Sequence, residues 1–342
     1  MKAVVFTGKG RLDVVERETP KAIRDMVLVK VTAAGICGTD IELLLPSEEP
    51  VPFIPGHEVA GVVEAVDEEH GFKAGDRVVV NCHVTCGSCE HCKAGDLIFC
   101  PELKAIGFDL DGGDAEYVLV PAASLRHLPD DIPDELAVIA SDALGTPWNA
   151  VQKADPGPGK TIAVFGAGPI GHMAVICLKH TGATVIAVDI NQERLESAAA
   201  FGADYIVNSA DEDAAEALRR LTDGKGVDAA IQGTGSKAAF HAALDSLCYR
   251  GTMVQMGVCR EVTINPHVQI NDREIIIKGT RNFNDHDLDK LFSFIRENEQ
   301  IKEVVTHRFP LERAREAFDT VISGKGLKVI LVPSAMPPQQ SS

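Results

Sequence analysis

The chain of 342 residues has no apolar run approaching the ~20 residues of a membrane-spanning helix, so no helical membrane span is expected. It also lacks a surplus of basic residues. Its 33 Lys and Arg are set against 50 Asp and Glu, for a formal net charge of −17. A nucleic-acid backbone attracts basic surface, so this balance argues against DNA or RNA as a partner and reads as solubility instead. No internal repeat is visible. The start, MKAVVFTGKG, runs directly into a strand-like pattern without a charged n-region and apolar h-region. A cytoplasmic location is the expectation. The length suffices for two domains, each with its own core.

Nine cysteines in such a chain predict metal ligation and free thiols rather than a disulfide framework. Four of them, Cys86, Cys89, Cys92 and Cys100, follow the spacing C-x2-C-x2-C-x7-C on a polar loop, TCGSCEHCKAGDLIFC. Four thiolates fill a zinc tetrahedron and leave no place for substrate, so this site is expected to be structural. Iron–sulfur ligation is the competing reading. Cys82 and His91 interleave with the motif but break its register and are left out. Cys177, Cys248 and Cys259 stand alone in apolar or helical contexts and are expected to be buried as small hydrophobes.

A second set lies upstream, with Cys37 in CGTD and His57–Glu58 in GHE. An open zinc site needs three protein ligands and a free position. A buried Cys and a core His are the alternative; the neighbouring Thr39, Asp40 and Glu58 favour the metal.

The first ~150 residues read as short strands separated by Gly, Pro and Asp turns, and Asp155–Lys160 (DPGPGK) reads as a boundary. Beyond it strands and helices alternate, which predicts an α/β unit with a parallel sheet covered on both faces. A tail of helix, strand, helix and strand follows Asp287. It is expected to return to the first domain and to end in a disordered segment at residues 333–342.

Gly166, Gly168 and Gly171 form G-x-G-x-x-G between the strand TIAVF and a helix that opens with Pro169 and Ile170. The glycines suit a tight turn, a backbone approach to pyrophosphate and close helix–strand packing. Asp189, ending the strand ATVIAVD, is placed to accept hydrogen bonds from ribose hydroxyls; a helix cap is its other reading. A 2′-phosphate would meet like charge there, which favours NAD over NADP. Arg194, a little further on, could flank the adenosine.

With these motifs in hand, the sequence resembles the zinc-dependent medium-chain dehydrogenase/reductase family of alcohol, polyol and threonine dehydrogenases. GICGTD (35–40), PGHEVAGVV (55–63), GDRVVV (75–80), the four-cysteine lobe, GAGPIG (166–171), VDIN (188–191) and GLKVIL (326–331) carry the resemblance, which extends to about Pro333. It implies a GroES-like β-rich catalytic domain, residues 1–150 completed by 289–342, around a Rossmann dinucleotide domain at 151–288. The active site is implied to lie in the cleft between them.

The resemblance also implies two zinc ions per chain and NAD. Cys37 and His57 match the first two catalytic ligands. Glu58 matches a glutamate that ligates the metal or sits just behind it. Asp142 falls at the last ligand position, a carboxylate in polyol and threonine dehydrogenases; a turn or capping role is its alternative. Thr39 matches the hydroxyl that starts a proton relay, and Asp40 the carboxylate that orients the imidazole. Lys328 matches a basic residue near the pyrophosphate. Where the family often has a relay histidine this chain has Glu42, so either Glu42 or bulk water passes the proton on.

The implied reaction is oxidation of a secondary alcohol or polyol with hydride transfer to NAD+. L-Threonine is the named alternative substrate, because His83 and THRF (306–309) are similar to threonine dehydrogenases. A loop histidine bracing the zinc lobe is the other reading of His83. A zinc-stabilised NAD-binding protein without catalysis is the alternative of a different class. A homo-oligomer, a tetramer by resemblance, is expected.

Overall fold

The structure, a computed structural model, describes residues 1–67 and 71–333, except for the side chain of Asp285. From residue 334 onward the segment expected to be disordered lies outside the described residues. The chain divides into two units, Met1–Asp142 with the chain from Asn284, and Ala143–Phe283. The Pro/Gly cluster at Asp155–Lys160 therefore falls inside the second unit. Helix Gly145–Ala154 precedes it and packs on the helix that follows the glycine turn.

Strand Met26–Ile36 organises the first unit. Its sequence, MVLVKVTAAGI, is buried almost throughout, as a central strand covered on both faces must be. It pairs antiparallel with Glu58–Val66, Tyr117–Pro121 and Lys328–Val332. The seven-stranded sheet runs in the order Val305–Pro310, Lys328–Val332, Met26–Ile36, Glu58–Val66, Arg77–Val80, Leu125–His127, with Tyr117–Pro121 also on Met26–Ile36. The C-terminal strands thus complete the sheet that the N-terminal part begins. Val27, Val29, Val59, Val78, Val118 and Leu331 fill the core under it, and Phe318 meets Phe6 edge-on with ring centroids 5.5 Å apart. Each such side chain contributes about 1.5–3 kcal/mol on burial.

The second unit is a six-stranded parallel sheet. Its order is Tyr205–Asn208, Thr184–Asp189, Thr161–Phe165, Val227–Gln232, Leu247–Gln255, Ile276–Gly279. Numbered along the unit this is 3-2-1-4-5-6, the doubly wound Rossmann order. The reversal lies between Thr161–Phe165 and Val227–Gln232. Ile162 to Phe165 are all buried, because helices cover both faces of a parallel sheet. No helix of the described residues is long and apolar enough to cross a membrane.

Candidate active site

Register brings the first metal set together. Gly35 pairs with Glu58, and Ile36 with Val329, so Cys37, Glu58 and Lys328 all stand at one end of three adjacent strands. A Cβ on Gly35 would collide with Glu58 Oε2 and Val138 Cγ1, which is why the motif GICGTD needs glycine there. Cys37 is the N-cap of helix Gly38–Leu44, and its backbone N–H donates to Asp40 Oδ2 at 2.8 Å. The other Asp40 oxygen faces His57 Nδ1 at 3.2 Å. A carboxylate at Nδ1 fixes the proton on that nitrogen and leaves Nε2 for a cation.

Asp142 is the C-cap of helix Asp134–Ser141, which packs on Met26–Ile36 and Glu58–Val66. Its carboxylate reaches Cys37 Sγ at 3.4 Å and His57 Nε2 at 3.5 Å. The backbone of Asp142 thus serves as the cap, and its side chain is left to face Cys37 and His57. The ligand atoms of Cys37, His57, Glu58 and Asp142 all lie within 4.8 Å of one another.

Burial and mutual charge govern the electrostatics of this set. Burial and the charge of Asp142 raise the Cys37 thiol. Burial works against the His57 imidazolium, but Asp40 and Asp142 hold its pKa well above the usual value. Burial pushes Glu58 up to about 7 despite Lys328. Glu58 Oε1 accepts from Lys328 Nζ at 2.5 Å, while the buried Oε2 has no hydrogen-bond partner. A thiol, an imidazole nitrogen, a carboxylate and an orphaned carboxylate oxygen are donors that zinc takes, and one divalent ion would satisfy them together.

The expected relay residues lie on the adjoining helix. Thr39 is in its first turn and Glu42 three residues later, both exposed, and residues three apart share a helix face. His83 is buried, and Asn81 Oδ1 accepts from both its backbone N–H and its ring Nδ1 at 3.0 Å. Lys328 has a partner that sequence alone did not assign. It is 2% exposed, and its ammonium donates to Glu58 and to the Ile36 carbonyl at 3.2 Å.

Asp114 is a neighbour that sequence reasoning missed. It is fully buried against Gly56, and neither carboxylate oxygen has a hydrogen-bond partner. Burial, reinforced by the charge of Asp40, pushes its pKa well above the ordinary range. No local signal sets it apart, because Asp109, Asp111 and Glu116 stand close by in the same stretch and only Asp114 is fully buried.

The four cysteines of the C-x2-C-x2-C-x7-C motif also come together. Cys89 caps the short helix Glu90–Ala94 and its sulfur accepts from Cys92 N–H at 3.4 Å. Cys86 Sγ accepts from Cys89 N–H, and Cys100 Sγ from Cys86 N–H, each at 3.4 Å. Backbone N–H groups, that of Ser88 foremost, lower the Cys86 thiol to about 6. The four sulfurs lie within 4.8 Å of one another, and neither Cys82 nor His91 joins them. Of the solitary cysteines only Cys177 is buried; Cys248 and Cys259 are half-buried, so the expectation for those two is corrected.

The second unit carries the glycine turn. Gly166 has φ +98° and donates its N–H to Val188 O at 2.8 Å. Gly171 lies so close to the Gly166 carbonyl that a Cβ would strike it, whereas a Cβ on Gly168 would meet nothing within 4 Å. That open side lies at the start of helix Pro169–His180, and a helix N-terminus of this kind suits an anionic group. Pro169 occupies the first helical position, and the backbone N–H groups of Ile170 and Gly171 follow in the first turn.

Asp189 accepts from Ala167 N–H at 2.6 Å and from Asn191 N–H at 2.9 Å, and a carboxylate has lone pairs left for ribose hydroxyls. The N-cap of the next helix, Gln192–Ala200, is Asn191, whose side chain accepts from Arg194 N–H. The cap is therefore Asn191 and not Asp189. Arg194 sits half-buried in the first turn of that helix.

Comparison with known proteins agrees with this geometry. Residues 24–130 match the alcohol dehydrogenase GroES-like domain, and residues 169–297 match the zinc-binding dehydrogenase domain. An L-threonine 3-dehydrogenase of Shewanella frigidimarina is 34% identical over 93% of this chain and 95% of its own. The chain belongs to the zinc-dependent medium-chain dehydrogenase/reductase family.

Among solved structures, the alcohol dehydrogenase TADH from Thermus sp. ATN1 superposes with a TM-score of 0.91 at 30% identity, over 98% of this chain and 100% of that one. A putative zinc-binding dehydrogenase from Sinorhizobium meliloti 1021, bound to NADP, gives 0.88 at 29% identity over 97% and 99%. The protein is thus an oxidoreductase of the zinc-dependent kind, acting on a small molecule.

Proposed function

We propose that the chain oxidises a secondary alcohol or polyol to the carbonyl, with NAD+ as hydride acceptor. The carrying observation is the Cys37–His57–Glu58–Asp142 set, with a carboxylate rather than a second thiol as its last member. Zinc held there supplies a Lewis acid for a hydroxyl oxygen, and a bound nicotinamide supplies the hydride acceptor. Asp40, at His57 Nδ1, would keep the tautomer that leaves Nε2 for zinc. Glu58, anchored by Lys328, offers its second oxygen. Thr39 takes the hydroxyl proton and hands it along the helix face to Glu42 or to water.

The Asp189 carboxylate, which would meet a 2′-phosphate with like charge, supports NAD over NADP. Cys86, Cys89, Cys92 and Cys100 hold a second, structural zinc. Nine unpaired cysteines suit a reducing cytoplasm, and the family resemblance supports a tetramer.

L-Threonine is the second reading, favoured by the 34% identity to an L-threonine 3-dehydrogenase over 93% of this chain. A screen of NADH and NADPH production over threonine, sorbitol, xylitol, 2,3-butanediol and simple secondary alcohols separates the substrates and cofactors. Cys37→Ala and His57→Ala should abolish turnover and lower zinc from two to one per chain while leaving dinucleotide binding in place. Full turnover by zinc-free protein would overturn the proposal. A wild type that holds one zinc and oxidises none of these compounds would point to a non-catalytic binding protein.

A further inference from the structure

The helix behind the glycine turn contains a residue that a dinucleotide fold does not require. His172, one position after Gly171, is completely buried, where an aliphatic side chain would pack without any polar cost. Both of its ring nitrogens are engaged. Nδ1 lies 3.0 Å from the Gly168 carbonyl and Nε2 lies 2.9 Å from Ser197 Oγ. A carbonyl only accepts, so Nδ1 carries the hydrogen and Nε2 accepts from the serine hydroxyl. The ring is further fixed edge-on to Phe201, with centroids 5.3 Å apart. Burial lowers the imidazole pKa, in keeping with a neutral ring.

These two bonds join the two working parts of the dinucleotide site. Gly168 is the N-cap of the helix that faces the pyrophosphate, and its carbonyl also accepts the helical bond from His172 N–H at 2.9 Å. That carbonyl belongs to the peptide leading into Pro169, which has no N–H of its own. The side-chain bond from His172 therefore sets the tilt of the peptide that aims the neighbouring donors. Ser197 lies on helix Gln192–Ala200, which starts three residues after Asp189. The same helix carries Arg194 in its first turn.

We infer that His172 is a positioning residue, clamping the Gly168 carbonyl to Ser197 so that the pyrophosphate turn and the ribose carboxylate keep one spacing. The inference rests on the dinucleotide reading of the glycine turn. It requires that ligands spanning both parts depend on His172 more than a ligand held by one part alone.

The test is binding of NAD+ and ADP by calorimetry, and of adenosine by competition, to wild type, His172→Leu, His172→Asn and Ser197→Ala. His172→Leu should weaken NAD+ and ADP about three- to tenfold, the worth of a lost hydrogen bond, and should change adenosine less than about twofold. The Asn amide can donate to the Gly168 carbonyl as Nδ1–H does, so His172→Asn should recover most of the affinity for ADP. Ser197→Ala should give a smaller loss with the same ligand pattern. Unchanged ADP binding in His172→Leu, an equal loss for all three ligands, or no recovery in His172→Asn would overturn the inference. Should His172→Leu fail to fold, the comparison of Ser197→Ala with wild type decides by the same ligand pattern. Failure of wild type to bind NAD+ and ADP would instead refute the dinucleotide reading itself.

Discussion

Replacing Lys328 with Met tests the electrostatics behind the metal set most directly. Lys328 is 2% exposed, Glu58 is fully buried, and their ion pair spans 2.5 Å. Met keeps most of the volume but leaves Glu58 and the Ile36 carbonyl without their donor. Removing one partner of a buried pair costs about 3–5 kcal/mol. A unit of roughly 150–250 residues loses 2–4 °C per kcal/mol, so the melting temperature should fall by roughly 6–20 °C.

The loss should also depend on pH. Burial already pushes Glu58 up to about 7, and without Lys328 its folded pKa rises further. A carboxyl whose folded pKa exceeds its unfolded value binds more protons when folded, so its stability contribution falls as pH rises through that folded pKa. The deficit of Lys328→Met should therefore be larger at pH 8 than at pH 6. Adding Glu58→Gln removes the stranded charge and should restore most of the stability. The assay is thermal unfolding of metal-stripped protein across that pH range. A single variant within about 1 °C of wild type, or a double variant no better than the single, would refute the reasoning.

Cys86→Ser should release one zinc per chain and lower the unfolding temperature. The remaining zinc should stay with the Cys37 set, as metal analysis beside calorimetry would report. Gly95→Ala should destabilise by about 1–2 kcal/mol from its left-handed backbone alone. Its φ is +83°, and a Cβ there also meets the His286 ring, so adding His286→Ala should recover only the steric part of the loss. Asp114→Asn should be at least as stable as wild type at pH 8, because the folded pKa of Asp114 is raised and its contribution falls as pH rises through it. A loss above about 2 kcal/mol in denaturant titrations would mean an ionised, partnered Asp114.

Much of the fold is legible in local pattern. The alternation of strand and helix after residue 160, the glycine turn and the acid at the end of the second strand depend on neighbours in sequence, and short-range rules read them directly. The four-cysteine lobe is legible for the same reason, since its cysteines fall within one short loop. The ligand set around Cys37 is different, because residues far apart in sequence meet there through strand register. Only the pairing of Gly35 with Glu58 and of Ile36 with Val329 explains why Lys328 lies on Glu58.

Burial is likewise a property of the folded whole. Sequence marked Asp189 as either a ribose acceptor or a helix cap, and the structure gave the cap to Asn191. It marked Cys248 and Cys259 as buried, and packing left them half-exposed. Nothing in the local pattern of Asp114 or His172 announced an orphaned acid or a doubly bonded imidazole. The sequence by itself determined the family, the two kinds of unit and the residue types of the chemistry. The tertiary structure decided which charges are stranded and which are paired, because desolvation and hydrogen-bond partners exist only once distant segments have packed.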